Sequence, residues 1–477
     1  MRRFCLAGAC SLVLVGSAAA DPPAGAEVAA LRYELGQRLK RFEAAWEKHE
    51  GERERTRALG HVEKLTRQFF ALQFGEAARS LDRAAFALGT EDDPAASRQW
   101  AWSLYAVPEC RVAAGDQKEL AVTIKQLYAV KGDRPKGLEV QVWFTDKQIT
   151  TAKPDKFPYT VKVPLPPLGE SAGLDRKLNV LVEAGKELRH SSIGVSQVAD
   201  FPARLAALKK GVAGWGAIDS IEKATALARV DLLTELAAGA VPETDVPAAD
   251  LLANAEKMLD GKPFFTADKP GQFWLSVPTG AKSATAARLF VPRGLDPSKP
   301  VPIVVALHGA GASENLFFEG YGAGRIVTEC RTRGWLLVSP RGGFGFGGPP
   351  PVAALLDQLG QRYPIDPKRV LLVGHSMGAM QTVELVQKHP GKFAAAAALG
   401  GGGTVRDAKP FSDLSFFIGV GEKDALALTE ARGLNKALAP SAKKLTYAEF
   451  PRVEHMVIVR EALPSVFEQF DKAAAEK

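Results

Sequence analysis

Arg369-Val370-Leu371-Leu372-Val373-Gly374-His375-Ser376-Met377-Gly378 and the stretch directly after it, Ala379-Met380-Gln381-Thr382-Val383-Glu384-Leu385-Val386-Gln387, decide the fold. An apolar, β-branched run leads into a turn in which two glycines flank His375-Ser376-Met377, and a helix-like segment leaves it. A strand that delivers a serine to a sharp turn, with the positive end of a helix behind it, is the geometry of a nucleophile elbow. Gly374 and Gly378 suit such a turn, because a side chain there would collide with the adjoining strand or helix. The pattern points to serine-dependent acyl transfer and leaves the substrate open.

Working outward, short β-rich runs recur at Gln272 to Val277, Ala286 to Val291, Pro302 to Leu307, Trp335 to Val338, Val370 to Val373, Phe393 to Leu399, Ser415 to Val420 and Leu445 to Phe450. Helical or glycine-rich segments separate them. Repeated strand-then-helix units predict an α/β fold with a mainly parallel, twisted sheet covered on both faces. The first two runs are joined only by Thr279 to Thr285, so they are expected to pair as an antiparallel hairpin at one edge.

A serine hydroxyl is a weak nucleophile on its own. It needs a histidine to take its proton and an acid to hold the imidazole in the right tautomer. After an elbow of this kind the expected order is Ser, acid, His, each at the carboxyl end of a strand. Ser376 is the expected nucleophile. Asp424 follows the run Phe416-Phe417-Ile418-Gly419-Val420 in a glycine turn and is the expected acid, with Glu422 its near rival. His455 follows Leu445 to Phe450, precedes a final helix, and is the expected base.

The oxyanion of the reaction needs backbone donors. Met377, next to the serine, is one candidate, and Ala310 in Leu307-His308-Gly309-Ala310-Gly311 is the other. The candidates for contact with substrate are His308, Gly309 and Gly311 of that loop, together with Phe344 and Phe346. The His308 imidazole is expected to shape its loop, and His375 to be a packing or hydrogen-bonding neighbour of the elbow. Phe344 and Phe346 belong to Arg341-Gly342-Gly343-Phe344-Gly345-Phe346-Gly347-Gly348, which lacks the lysine and helix start of a phosphate loop. It reads either as a rim with two aromatic side chains or as a loose surface loop.

Residues before 272 have a different grammar. From Leu31 to Gly89, apolar positions such as Leu35, Leu39, Phe42 and Trp46, then Leu65, Phe69, Leu72 and Phe74, recur at three- and four-residue spacing and predict two amphipathic helices. Alternating runs at Leu138 to Phe144, Tyr159 to Val163 and Leu178 to Val182 predict strands of a small sheet or sandwich. The expected organisation is a leader over 1–20, a helical region over 21–118, a β-rich domain over 119–200, a helical connector or lid over 201–271, and a catalytic α/β domain over 272–477.

Met1-Arg2-Arg3, an apolar stretch and Ala18-Ala19-Ala20 before Asp21-Pro22 read as a secretory signal peptide, implying a secreted or periplasmic protein. The apolar stretch is shorter than the roughly 20 residues that span a bilayer, so no stable membrane span is expected. Lipid attachment at Cys10 is the alternative, but almost no hydrophobic segment precedes that residue. Cys110 and Cys330 are left for either one long-range bridge or two separate thiols. The formal charge of +7 includes Arg2 and Arg3, and the basic pairs Lys209-Lys210 and Lys443-Lys444 lack interleaved aromatics, so no nucleic-acid partner is expected. The chemistry outlined requires neither metal nor organic cofactor, and the expected partner is a small-molecule or polymeric ester.

These motifs, with Tyr363-Pro364-Ile365-Asp366-Pro367-Lys368-Arg369-Val370 leading into the elbow, resemble the alpha/beta-hydrolase superfamily over residues 272–477. Within it the similarity is to secreted polyhydroxyalkanoate-depolymerase-like and feruloyl-esterase-like enzymes, with phospholipase/carboxylesterase and prolyl-oligopeptidase-like groups nearby. The resemblance implies a serine nucleophile at Ser376, an acid at Asp424, a base at His455 and oxyanion donors at Met377 and Ala310. It covers fewer than half the residues and does not account for the N-terminal region. That region has too few strands for the propeller of a prolyl-oligopeptidase-type peptidase, which favours ester over peptide substrates. A binding protein that keeps the fold without turnover is the reading from a different class.

Overall fold

The computed structural model describes residues 25–90, 94–342 and 348–476. The expected leader and the residues Phe344 and Phe346 lie outside the described residues.

The N-terminal stretch forms more helices than its periodicity predicts. They are α1 (Gly25–Glu47), α2 (Glu52–Val62), α3 (Leu65–Phe70), α4 (Phe74–Ala87) and α5 (Ala96–Ser103). Gly51 is extended, with ψ 123°, and separates α1 from α2. Leu72 at φ 59° breaks the chain between α3 and α4, a left-handed conformation that ends a helix. The break at Leu72 splits what the spacing of apolar residues from Leu65 to Phe74 reads as one helix.

The strands that follow are β1 (Leu104–Pro108), β2 (Val112–Ala114), β3 (Glu119–Gln126), β4 (Glu139–Trp143), β5 (Thr150–Ala152), β6 (Tyr159–Pro164), β7 (Gly173–Ala184) and β8 (Glu187–Val198). They form a three-stranded sheet, β1-β3-β6, and a five-stranded sheet, β2-β8-β7-β4-β5. Alternate residues such as Val122 and Ile124 of one sheet and Val140 and Val180 of the other share a single core, as in a small sandwich. The strands begin at Leu104, earlier than the boundary at 119. Leu104 to Ala106 are all buried, so no polar alternation marks β1 as a strand.

Next come α6 (Phe201–Ala213), α7 (Ile221–Ala237) and α8 (Ala248–Met258). Their apolar residues, among them Leu205, Leu233 and Leu252, pack into one face of the large sheet. That sheet contains β9 (Gly271–Gly280), β10 (Ser283–Val291), β11 (Val301–Leu307), β12 (Leu336–Pro340), β13 (Ile365–His375), β14 (Ala395–Leu399), β15 (Ser415–Gly421) and β16 (Leu445–Phe450). Its order is β16-β15-β14-β13-β11-β12-β10-β9. Strands β11 to β16 are joined by parallel pairings, while β10 pairs antiparallel with β12 and with β9. Its helices are α9 (Leu316–Glu319), α10 (Arg325–Arg333), α11 (Val352–Gly360), α12 (Met377–Lys388), α13 (Leu428–Leu438) and α14 (Ile458–Ala475).

Successive strand residues feed opposite faces of this sheet. Ile303, Val305, Val370 and Leu372 join the core that holds α6 to α8, and Val304, Ala306, Leu371 and Val373 join the other. Burial on both faces is why these strands read as unbroken apolar runs. The second core also takes in Leu39, Phe42 and Trp46 of α1 and Leu81 of α4. The N-terminal helices are therefore part of the layer that covers the sheet.

At the junction of α1, α4 and the sandwich lies a buried ionic cluster. Arg38 is fully buried between Glu34 and Asp82, Tyr128 donates to Asp82 at 2.7 Å, and Arg189 of β8 donates to Glu34 at 2.8 Å. Charges taken out of water survive when paired and hydrogen-bonded in this way. Cys110 is half-buried and Cys330 buried, and they are not bridged. Among the described residues no helix is long and apolar enough to cross a membrane.

Candidate active site

Strand β13 ends at His375, and Ser376 stands between it and α12 with φ 55° and ψ −115°. A non-glycine residue at positive φ is strained, and here the surroundings hold it. Ser376 N–H donates to the Leu399 carbonyl of β14 at 2.9 Å, and the Ser376 carbonyl accepts from Ala379 N–H at 3.0 Å. The flanking glycines are required by space. A Cβ on Gly374 would lie 2.0 Å from the Gly378 carbonyl oxygen, and one on Gly378 would lie 2.0 Å from that of Leu307. Strand, turn and neighbouring strand thus close tightly on the serine.

Asp424 follows β15 and is fully buried. Its Oδ1 accepts from the N–H groups of Leu426 at 3.1 Å and Ala427 at 2.9 Å, which leaves Oδ2 to accept from His455 Nδ1 at 2.7 Å. The bond fixes the imidazole in the tautomer whose Nε2 is free to take a proton. Glu422 lies on the surface and accepts from Arg452 N–H at 3.1 Å, away from the imidazole. No hydrogen bond joins Ser376 Oγ to His455 among the described residues, and both residues line one cavity of about 130 Å³. Contacts of this kind tighten when substrate binds.

The loop after β11 forms the opposite side of that cavity with Gly309, Ala310 and Gly311. Met377 is the first residue of α12, so its N–H has no intrahelical acceptor. His308 does not line the cavity. Its Nδ1 donates to the Gly309 carbonyl at 2.9 Å and its Nε2 accepts from Gly342 N–H at 2.8 Å. Both ring nitrogens tie one loop to another, so the ring holds the loop after β11 in place. Burial lowers its pKa and keeps the ring neutral for that task.

His375 is buried behind the serine. Its Nε2 donates to the His455 carbonyl at 2.9 Å and its Nδ1 accepts from the Tyr321 hydroxyl. Burial, followed by the proximity of His455, pushes its pKa well below the usual imidazole value. It is a neutral strut between the elbow and the loop of His455. A Cβ on Gly309 would lie 3.2 Å from His375 Nδ1 and 3.3 Å from the Tyr321 hydroxyl, so the strut also abuts the loop after β11.

Several participants escape the sequence. Glu454, next to His455, is buried and accepts from the Thr66 hydroxyl of α3 at 2.5 Å and from Met456 N–H at 2.7 Å. Burial raises its pKa, and the hydrogen bonds from Thr66 and Met456 oppose that shift. Arg32 of α1 donates to the Gly311 carbonyl. Leu35 and Leu39 of α1 and Leu65, Phe69 and Phe70 of α3 complete the cavity wall. Phe69 carries the three-and-four periodicity of an ordinary core position, and nothing in that spacing separates a cavity wall from a core. From the segment 201–271, expected to be a connector or lid, only Glu243 and Thr244 reach the cavity. Among the described residues no group of three histidine, cysteine or carboxylate side chains is placed to hold a metal ion.

No family model matches the chain. A bifunctional acetylxylan esterase/xylanase from Neocallimastix patriciarum is 31% identical over 121 residues, which cover 24% of this chain and 17% of that protein. Among solved structures, a feruloyl esterase module from Clostridium thermocellum is 14% identical over 44% of this chain and 92% of its own, with a TM-score of 0.37. A thermostable esterase is 17% identical over 75% of this chain and 98% of its own, also with a TM-score of 0.37. The sheet order, the parallel run of β11 to β16 and the serine turn between β13 and α12 are those of the alpha/beta-hydrolase fold.

Proposed function

We propose that this protein is a serine hydrolase of carboxylic esters that works through an acyl-enzyme. The observation that carries the reading is the 2.7 Å bond from His455 Nδ1 to a buried Asp424 at the cavity that Ser376 lines. In the cycle, His455 Nε2 takes the Ser376 proton as Oγ bonds to the ester carbonyl carbon. The N–H groups of Ala310 and Met377 hold the oxyanion, a contribution of about 3–4 kcal/mol per donor in comparable sites. Collapse breaks the carbon–alkoxy bond, and His455 returns the proton to the leaving alcohol. Water then gives a proton to His455 and attacks the acyl carbon. The acid departs and Ser376 recovers its hydrogen.

An ester is favoured over a peptide because the cavity of about 130 Å³ is small and helices α1 and α3 form part of its wall, which suits a short ester substituent. The local similarity to a protein named an acetylxylan esterase is in keeping with that choice. The leader-like residues up to Ala20 support export as the setting of the reaction. Labelling with a fluorophosphonate followed by peptide mapping tests the reading directly. Modification at Ser376, lost in Ser376→Ala, is the expected result, and a wild-type chain that stays unlabelled would overturn it. An ester panel run beside chromogenic peptides tests the substrate class, and faster turnover of the peptides would reverse that choice.

A further inference from the structure

The cavity has two walls of different origin. One is the serine, the imidazole and the Gly309–Gly311 loop, all from the strand-and-helix repeat. The other is α1 and α3, which lie more than 200 residues earlier in the chain. We propose that α1 and α3 are the specificity wall of the active site, and that the Phe69 ring sets the length of the apolar chain an ester can place there. The proposal rests on the serine-hydrolase reading and extends it to the part of the chain which that fold does not explain.

Three observations support it. First, the wall touches the reacting region: a Cβ on Gly311 would meet Phe69 Cε1 at 3.2 Å, so the ring lies against the loop that carries Ala310. Second, the wall is fastened. Thr66 binds Glu454 beside His455, Arg32 binds the Gly311 carbonyl, and the Phe69 ring packs edge-on against Phe70 at 5.4 Å and Phe74 at 5.9 Å. The distance from Phe69 to the serine is therefore set by the fold. Third, Arg32 is held by the Gly311 carbonyl and Glu243 at 3.7 Å, and Lys40 lies 4.0 Å from Glu319, so the α1 and α3 wall presented by Leu35, Leu39, Leu65, Phe69 and Phe70 is mainly apolar.

The ligand class follows from size and chemistry. A space of about 130 Å³ is comparable to the ~150 Å³ apolar cavity that takes up one benzene ring. The wall thus fits a short, uncharged aliphatic chain or one small ring. Phe70 lines the same space while 51% exposed, which places the solvent side of the cavity at the end of α3. The chain received there belongs either to the acyl or to the alcohol half of the ester. The shared chemistry is the same and the two arms of the experiment separate them.

The experiment measures kcat/KM for p-nitrophenyl acetate, butyrate and octanoate, and for methyl and hexyl acetates, with wild type, Phe69→Ala and Phe69→Trp. Fluorophosphonate labelling of Ser376 is read in every sample. The expected result is an octanoate-to-acetate or hexyl-to-methyl ratio that rises about tenfold or more in Phe69→Ala and falls in Phe69→Trp. The series that moves identifies the half of the ester bound. Ratios unchanged in both variants, with Ser376 still labelled, overturn the wall assignment while leaving the hydrolase reading intact. A wild-type Ser376 that is not labelled removes the hydrolase reading and this proposal with it.

Discussion

Thr66 of α3 and Glu454, the residue before His455, share a buried hydrogen bond of 2.5 Å although 388 positions separate them in sequence. Glu454 also holds Met456 N–H, so one carboxyl group brackets the histidine and reaches into the N-terminal helices. A buried carboxyl group with a missing partner costs more than the bond it loses, because its desolvation remains.

Replacing Thr66 with Val keeps the shape of the residue and removes the hydroxyl. The expected outcome is a loss of about 1–3 kcal/mol in stability and a fall in kcat with KM little changed, because the loop of His455 loosens. Thr66→Ser should restore both quantities. Denaturant titration and steady-state kinetics check this, and a Thr66→Val enzyme with wild-type kcat would show that the bracket does not position the base.

Asp424→Asn leaves the hydrogen-bonding shape nearly intact but favours the wrong imidazole tautomer. Loss of about 10⁴ in kcat is expected, as in other serine triads. Glu422→Ala should leave turnover near wild type, since Glu422 binds only the exposed backbone of Arg452. Kinetics on one activated ester decide between the two acids.

Tyr321→Phe removes the hydroxyl that holds His375 Nδ1. His375 should then lose its single tautomer, visible as a change in its ring nitrogen resonances by NMR. Stability should fall by about 1–3 kcal/mol, because the buried Nδ1 of His375 is left without a partner. Unchanged ring resonances would show that the strut is held from the His455 side alone.

Glu43 of α1 is fully buried, and burial raises its carboxyl from 4.5 to about 8, with Arg460 offsetting only part of the shift. The folded chain therefore keeps a proton that the unfolded chain releases at lower pH. Its stabilising effect is full below 4.5 and is lost as pH rises through about 8. Glu43→Gln removes the titration, so the Tm of the variant relative to wild type should climb by several degrees between about pH 5 and about pH 8. A difference that stays flat across that range would contradict the assignment.

The sheet was legible because its chemistry is periodic and local. Strands such as Val301–Leu307 and Ala395–Leu399 are buried on both faces and read as apolar runs, and Gly374 and Gly378 announce the turn at Ser376. The pairing of Asp424 with His455 was legible from chain order, since each follows a strand, and the structure brings the two side chains into hydrogen-bond contact. What escaped depends on contacts between distant segments. Thr66, Arg32 and Phe69 look like ordinary residues of amphipathic helices, and their partners Glu454 and Gly311 carry no matching signal. His308 could be read either as a substrate contact or as a residue that shapes its loop, because a histidine at a strand end reads alike whether its ring faces a cavity or a neighbouring loop.

Helix α1 serves three bodies at once: Tyr33 enters the sandwich core, Phe42 and Trp46 enter the core under the large sheet, and Leu35 borders the cavity. A recombinant fragment cut at residue 272, where the strand-and-helix pattern starts, would bare the greasy underside that Phe42 and Trp46 cover. Such a fragment should collect in inclusion bodies or as soluble aggregates, and the shortest well-behaved version of this protein is expected to start ahead of α1.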